Sequence, residues 1–209
     1  MTTSAIVLAG GKARRLGGAS KPDLIVGDDT LLDLALAACK VAHAASVVVV
    51  GPDSLARDGV LVTREDPPGA GPAAGIAAGL TALAGLGGRE GGGFGHDDYV
   101  LCLACDMPSA ADAVPELVEA AGSRDSDGAW LVDDMGYSQP LLAVYRSQAL
   151  ADAARAVPEL AGVSMKQLTR EMNMTPVLGL HYASDDVDTW QDADRWGARP
   201  WRGKLGEEL

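Results

Sequence analysis

Aromatic residues, cysteine and histidine are scarce in this chain of 209 residues. Aromatics make up 4% of the sequence, with a single Phe, so Ala, Val and Leu must build the core. The three cysteines indicate a reducing compartment. Cys102 and Cys105 have the spacing of half a zinc site, but the remaining cysteine and the histidines supply no second ligand pair. We therefore interpret the cysteines as buried structural thiols.

Long apolar runs are also lacking. No stretch reaches the about 20 apolar residues that a membrane span requires. At the amino terminus the charges follow a short apolar run, which is the reverse of a secretory leader. We therefore expect a cytoplasmic protein with no membrane partner.

Cations are few, and they are unevenly distributed. The chain has 17 Lys and Arg against 29 Asp and Glu, which gives a net charge of −12 and argues against a nucleic-acid partner. Four of the cations nevertheless lie between residues 12 and 21. An acidic protein that gathers cations in one short segment is expected to bind a small polyanion there.

That basic segment is a glycine-rich loop after the first apolar run. Residues 4–21 read SAIVLAGGKARRLGGASK. The spacing fits neither a Walker loop nor the G-x-G-x-x-G dinucleotide fingerprint. Glycines let backbone N–H groups approach phosphate oxygens, while Arg and Lys supply charged donors. The pattern predicts a triphosphate-binding loop, and the alternative is a surface turn that happens to be basic.

Apolar runs alternate with helical patterns along the chain. Strands are predicted at 4–9, 46–50, 60–63, 98–104, 129–132, 141–145 and 176–180. Helices are predicted at 31–43, 73–84, 112–121, 148–156, 164–172 and 189–197. This order predicts an α/β fold of three layers, a mostly parallel sheet with helices on both faces. We assign 1–197 to a single domain, 198–209 to a tail expected to be mobile, and 85–97 to a flexible loop.

Three motifs, in this order, carry a family resemblance: Leu8-Ala9-Gly10-Gly11 with Arg14, Gly17 and Lys21; Asp66-x-x-Gly69-x-Gly71-Pro72-x-x-Gly75; and Asp106-Met107-Pro108. Together they resemble the MobA-like nucleotidyltransferases, the molybdenum cofactor guanylyltransferase family, over roughly residues 4 to 196. The first motif is typical of a broad nucleotide-transferase superfamily, and the second favours the guanylyltransferase branch.

The resemblance implies a Rossmann-like fold of the nucleotide-diphospho-sugar transferase type. It also implies Mg²⁺-dependent transfer of GMP from GTP onto the terminal phosphate of molybdopterin, with release of pyrophosphate. It would place GTP on Leu8, Ala9, Gly10, Gly11, Lys21, Asp66, Gly75 and Asp106, and Mg²⁺ on Asp106. The implied partners are GTP and molybdopterin, with transient contacts to proteins that insert or accept the molybdenum cofactor and none to nucleic acid.

These implied roles make chemical sense for catalysis. Attack on an α-phosphate spreads charge over its oxygens and the departing pyrophosphate, so catalysis consists mainly of positioning and charge stabilisation. The N–H groups of residues 9–11, with Arg14 and Lys21, would hold the β- and γ-phosphates. Asp106, at the carboxyl end of a strand, would hold Mg²⁺ between the phosphates. The alternative for Asp106 is a helix cap or an Asx turn before Pro108.

Asp66 is the candidate for reading the base. Its carboxylate could accept hydrogen bonds from the N1–H and the exocyclic amine of guanine, a donor pair that adenine lacks. Gly69, Gly71 and Gly75 permit close backbone approach in the same loop. The alternative for Asp66 is an exposed loop acid.

One segment departs from the guanylyltransferase pattern. The chain has Asp186-Val187-Asp188 where that branch tends to carry Asn-x-Asn, and Asp-x-Asp occurs in several cytidylyltransferase-like relatives. Asp188 is a candidate second metal ligand, and its alternative is to cap the terminal helix. Gln139 and Lys166 are candidates for the acceptor pocket, although exposure alone also explains Lys166.

Two other functions remain open. One is cytidylyl or other nucleotidyl transfer to molybdopterin or another phosphorylated acceptor, which the Asp-x-Asp segment favours. The other is a non-catalytic nucleotide-binding regulator. A regulator would be expected to lose the metal carboxylate or the loop lysine, and both Asp106 and Lys21 are present.

Overall fold

The computed structural model describes residues 2–10, 20–86, 94–95, 98–123 and 125–200. Strands in this part of the chain are β1 (Thr2–Leu8), β2 (Leu24–Val26), β3 (Asp29–Thr30), β4 (Val47–Val50), β5 (Leu61–Thr63), β6 (Asp98–Ala104), β7 (Gly128–Val132), β8 (Ser138–Arg146), β9 (Met174–Val177) and β10 (Arg199–Pro200). Helices are α1 (Leu31–Val41), α2 (Pro72–Leu86), α3 (Ala110–Ala121), α4 (Ser147–Ala156), α5 (Met165–Leu168) and α6 (Trp190–Arg195). None of these helices is long and apolar enough to cross a membrane.

The main sheet has the order β5-β4-β1-β6-β8-β7-β9. Among these strands β8 alone runs antiparallel to its neighbours, and the other pairings are parallel. Helices α1 and α3 pack on one face of the sheet, and α2, α4 and α5 pack on the other. The predicted three-layer, mostly parallel α/β fold is therefore confirmed.

The carboxyl ends of four parallel strands lie side by side. Leu8 of β1 is in register with Val50 of β4 and with Ala104 of β6, and Val50 is in register with Thr63 of β5. The chain leaves β1 toward the β4 side and returns in β6 on the other side of β1. In open α/β sheets this reversal creates the crevice in which ligands bind.

The carboxyl-terminal third differs most from the sequence prediction. The helix predicted over 164–172 is shortened to α5, which ends with Thr169 as its C-cap, and the chain then continues into β9. The strand predicted at 176–180 lies earlier, as β9, where it pairs in parallel with β7. Pairing along a sheet edge outweighs the local helical pattern here.

A second, small sheet lies beside the main one, with the order β10-β2-β3. Arg199 pairs with Ile25 and Pro200 with Leu24. The division between domain and tail at 197/198 stays a prediction, although β10 attaches the first residues beyond it to β2. Residues 201–209, most of the expected tail, lie outside the described residues, as does most of the loop 85–97.

Glycines in α2 let this helix lie close to β1. A Cβ built on Gly79 would lie 2.7 Å from Cγ2 of the fully buried Ile6, and one on Gly75 would lie 3.1 Å from Cδ2 of Leu8. A Cβ on Gly85, on the exposed end of the same helix, would meet no atom of the described residues within 4 Å. The close approach of α2 to β1 therefore depends on Gly75 and Gly79.

This packing predicts opposite effects for two Gly-to-Ala changes in one helix. We expect Gly79→Ala to lower the free energy of unfolding by about 1–3 kcal/mol, because the added methyl group overpacks Ile6. Gly85→Ala should raise it by about 0.5–1 kcal/mol, since Ala favours helix and has room there. Thermal or urea unfolding of both variants checks this, and equal effects would contradict the packing argument.

Candidate active site

Lys21 and two carboxylates meet at the crevice. The Nζ of Lys21 donates to Oδ2 of Asp106 at 2.5 Å and to Oδ1 of Asp188 at 2.5 Å. The side chains of Lys21 and Asp106 are 17% and 19% exposed, and that of Asp188 is 47% exposed. The structure thus brings together three predicted site residues that are up to 167 positions apart in the sequence.

The sheet positions Asp106. The N–H of Cys105 donates to the carbonyl of Leu8 at 3.0 Å, which continues the β1–β6 pairing by one residue beyond the strand. Asp106 follows directly, at the carboxyl edge of the sheet. Its side chain accepts from Lys21, and α3 begins only after Ser109, so Asp106 is not the N-cap of that helix.

Val187 positions the two aspartates beside it. Its N–H donates to the carbonyl of Asp106 at 3.0 Å, and its side chain is fully buried in a cluster with Leu24, Leu31 and Ala193. Asp188 does not cap the terminal helix either, because Thr189 is the N-cap of α6 and forms a capping box with Asp192.

Asp186 completes a group of three carboxylates. One oxygen from each of Asp106, Asp186 and Asp188 lies within 4.8 Å of the others. Hard oxygen donors at such spacing fit Mg²⁺, which binds through one or two carboxylates plus phosphates and water. Asp186 was not among the predicted metal ligands, although the Asp-x-Asp spacing could have suggested it.

Mutual repulsion and desolvation shift the proton affinities in this group. Desolvation, with the charges of Asp188 and Asp106, raises the pKa of Asp186 to about 6. Burial by itself lowers the pKa of Lys21, but the carboxylates of Asp106 and Asp188 outweigh it, so the net pKa is raised. Lys21 is therefore held as a cation, and the group has a high density of negative charge.

The raised pKa predicts a pH-dependent stability. Because the folded protein raises the pKa of Asp186 from its ordinary value of 3.8 to about 6, ionisation of this group costs stability progressively as the pH rises from about 4 to about 6. In EDTA we expect Asp186→Asn to melt at a higher temperature than the parent at pH 7. The difference should shrink toward pH 4. Thermal unfolding between pH 4 and 8 measures it.

The matched control for this prediction is Asp58→Asn, which changes an exposed loop acid away from the group. It should leave the pH profile unchanged. If the melting temperatures of Asp186→Asn and the parent differ by the same amount at pH 4 and at pH 7, the difference does not come from the ionisation of Asp186.

Of the predicted triphosphate-binding loop, the structure describes only the beginning and the end. The N–H of Ala9 donates to the carbonyl of Val50 at 2.9 Å. It is therefore not available to a phosphate, and this part of the prediction is wrong because sheet pairing extends one residue beyond β1. Gly10 is exposed, whereas Gly11 and Arg14 lie outside the described residues.

Asp66 lies in the loop that follows β5, at the same edge of the sheet. It is exposed and precedes a cis peptide bond to Pro67. The Oε1 of Glu65 accepts from the N–H of Gly69 at 2.7 Å, and the carbonyl of Ala70 accepts from the N–H of Gly162 at 2.7 Å. The loop is thus held at both ends while Asp66 faces solvent.

Gly75 has a packing role in the structure. It is buried, and its open side faces the Leu8 and Val50 side chains within the α2–sheet contact. Its contact with a nucleotide stays a prediction, and so does that of Leu8, whose carbonyl accepts from Cys105.

The acceptor candidates lie near the β7–β8 turn, also at the carboxyl end of β7. Gln139 donates from Nε2 to Oδ2 of Asp133 at 2.8 Å, and Lys166 lies with Nζ 5.0 Å from the ring centre of Tyr137. Ser164, one of its neighbours in sequence, caps α5. A polar amide and a cation on an exposed aromatic ring are therefore present at this position.

Comparison with known proteins identifies the family. A family profile described as the MobA-like NTP transferase domain matches residues 5–175. The chain belongs to the MobA-like NTP transferase family. The resemblance seen in the three motifs is thereby confirmed.

Relatives and solved structures agree with this assignment. The chain is 29% identical over 205 residues to a probable molybdenum cofactor guanylyltransferase of Chloroflexus aggregans, covering 93% of this chain and 85% of the relative. It is 32% identical over 178 residues to the molybdenum cofactor guanylyltransferase of a Bradyrhizobium strain, covering 81% and 78%.

A solved structure has the same fold. The molybdopterin-guanine dinucleotide biosynthesis protein A of Archaeoglobus fulgidus superposes with a TM-score of 0.66 at 21% identity, over 92% of this chain and 96% of that one. This likeness supports the nucleotide-diphospho-sugar transferase type of fold. It does not identify the base or the acceptor.

Proposed function

We propose that this protein transfers GMP from GTP to the terminal phosphate of molybdopterin and releases pyrophosphate. Family membership and the two guanylyltransferase relatives support the reaction. The structural observation that supports the proposal most directly is the cluster of Lys21, Asp106 and Asp188 at the crevice between β1 and β6.

In this reaction an oxygen of the acceptor phosphate forms a bond to the α-phosphorus of GTP. The bond between the α-phosphorus and the oxygen that bridges to the β-phosphate breaks, and pyrophosphate leaves. The side chains of Asp106, Asp186 and Asp188 would hold Mg²⁺, which neutralises charge on the triphosphate and the departing pyrophosphate. Lys21 would donate to phosphate oxygens as a compact charge. Arg14 is assigned to the same phosphates by the sequence motif alone.

The base would bind away from the metal. Three strand spacings separate β5 from β6 in the sheet, roughly 14 Å at about 4.8 Å each. Asp66, after β5, and Asp106, after β6, therefore lie toward opposite sides of one crevice. This separation suits a ligand whose base and phosphates are recognised by different loops. Asp66 would accept hydrogen bonds from guanine.

Molybdopterin would bind beside the β7–β8 turn. This turn leaves the same sheet edge, on the far side of β6 from the base loop. Gln139 and the exposed Lys166–Tyr137 pair offer an amide, a cation and an aromatic face for a phosphorylated pterin. Contacts with proteins that insert or accept the cofactor, and a cytoplasmic location, stay predictions.

One observation favours a second candidate. Aspartates occupy both outer positions of the 186–188 segment, as in several cytidylyltransferase-like relatives, and both contribute to the carboxylate group. Cytidylyl transfer on the same fold is therefore the alternative.

Titration calorimetry with GTP, CTP, ATP and UTP, with and without Mg²⁺, separates the two candidates. Selective binding of GTP with Mg²⁺, followed by molybdopterin-dependent pyrophosphate release, is the expected result. Preference for CTP would replace guanylyl by cytidylyl transfer. Binding of none of them would contradict both.

A further inference from the structure

The Lys21 ammonium lies where the carboxylate group would hold a divalent cation. Its Nζ is 2.5 Å from one oxygen of Asp106 and 2.5 Å from one oxygen of Asp188. Both acids belong to the group whose oxygens lie within 4.8 Å of one another. A metal ion takes such oxygens at about 2.0–2.1 Å, so a metal on this pair would stand close to the ammonium, and the two positive charges would compete for the same carboxylates.

We propose that Lys21 is a tethered cation that competes with the metal for Asp106 and Asp188, and that a bound triphosphate draws it away. Metal and nucleotide then bind synergistically, and the metal binds weakly while the nucleotide is absent. This inference rests on the proposed nucleotidyl transfer for the triphosphate, but the competition itself involves only residues of this chain.

Three carboxylates need a counter-charge whenever the nucleotide is absent. Without one, the three like charges, whose oxygens lie within 4.8 Å of one another, would repel each other. Lys21 supplies a positive charge from a flexible four-carbon side chain, which can move without rearranging the backbone.

Lys21 is also placed to make the exchange. It opens a short 3₁₀ helix, Lys21–Asp23, at the end of the loop that begins at the carboxyl end of β1. Lys21 follows directly on the segment that the sequence predicts to bind a triphosphate, so a bound triphosphate is expected to come near its side chain. A triphosphate offers Lys21 new anionic partners at the moment when the metal needs the carboxylates.

One apolar cluster supports both sides of the contact. Leu24, three residues after Lys21, packs with Val187, which separates Asp186 from Asp188. Asp106 comes instead from the main sheet. Lys21 and the Asp186–Asp188 segment are therefore anchored by the same apolar cluster, and Asp106 is anchored by the main sheet. The exchange of cations would take place where these two parts of the protein meet.

Metal binding in the absence of nucleotide tests the competition directly. Mn²⁺ binding to the metal-stripped protein would be followed by electron paramagnetic resonance and calorimetry for the parent and for Lys21→Met. We expect Lys21→Met to bind Mn²⁺ about tenfold more tightly or better, because a competing unit charge has been removed. Lys40→Met, at the exposed end of α1, is the matched control and should bind like the parent.

A GTP analogue with a non-cleavable α–β bridge extends the same measurement. It should tighten Mn²⁺ binding to the parent and tighten it less in Lys21→Met. The proposal is overturned if Lys21→Met melts cooperatively, and is therefore folded, but binds Mn²⁺ no more tightly than the parent does. Failure of the GTP analogue but success of a CTP analogue would change the proposed base and leave the Mn²⁺ result standing.

A second measurement uses the unmodified protein, in case Lys21→Met does not fold. Acetylation of Lys21 by acetic anhydride, followed by peptide mass spectrometry, reports how available its amine is. Saturating Mn²⁺ without nucleotide should accelerate this labelling, because the metal displaces the ammonium from its carboxylates. Labelling of Lys21 that Mn²⁺ leaves unchanged, while Lys40 serves as the internal reference, would contradict the competition.

Discussion

Asp106→Asn is expected to lower the rate of pyrophosphate release by about 10³-fold or more at saturating GTP and Mg²⁺. The change removes one carboxylate from the group of three and, among the described residues, one of the two carboxylates that Lys21 contacts. The amide is nearly isosteric and its residue is held by the sheet-edge bond of Cys105, so the fold should persist. Steady-state pyrophosphate release and a thermal melt of the same sample measure both expectations.

Asp112→Asn is the matched control for Asp106→Asn. Asp112 is an exposed acid in the first turn of α3, on the same connection after β6. It should retain the parental rate. Normal Mg²⁺-dependent turnover by Asp106→Asn would remove Asp106 from the metal site, and the function of the carboxylate group would have to be reassigned.

Asp66→Ala is expected to reduce the preference for GTP over the other triphosphates by about 100-fold or more. A carboxylate that accepts two guanine hydrogen bonds contributes about 1.5–3 kcal/mol for each charge-assisted bond, and the alanine accepts none. The loss should appear mainly as weaker GTP binding, with little change in the melting temperature, because Asp66 is exposed. Competition binding with GTP and CTP measures the ratio.

Glu65→Gln is the control within the same loop. The amide oxygen of Gln can still accept from the N–H of Gly69, so the loop conformation should be kept. The GTP preference should then stay at the parental value. If Asp66→Ala keeps the full preference for GTP, Asp66 is an exposed loop acid and the base is read elsewhere.

The fold was largely predictable because its apolar runs are local and strongly patterned. The four Val residues of β4 and the apolar run of β6 read as buried strands without any tertiary information. The prediction failed where a short pattern was ambiguous, as in 164–172, whose apolar spacing suits a helix although the chain must turn to place β9 beside β7.

The candidate site was predictable in part. Asp106 was predicted correctly to follow a strand at the carboxyl edge of the sheet, since the end of an apolar run is visible in the sequence. The contribution of Asp186 to the carboxylate group was missed, because it depends on where Val187 is buried. The sequence also did not show that the N–H of Ala9 is bonded to the carbonyl of Val50 in β4. Where the pairing of a strand ends depends on the neighbouring strand, which is distant in the sequence.

The sequence by itself determined the layered α/β fold, the basic glycine loop and the motifs of the family, since these depend on local periodicity and on residue order. Only the tertiary structure decided that Lys21 bonds to Asp106 and Asp188. Those three residues approach one another because β6 ends beside β1 and because Val187 is buried against Leu24. Contacts between residues so distant in sequence depend on packing, which no short stretch of sequence encodes.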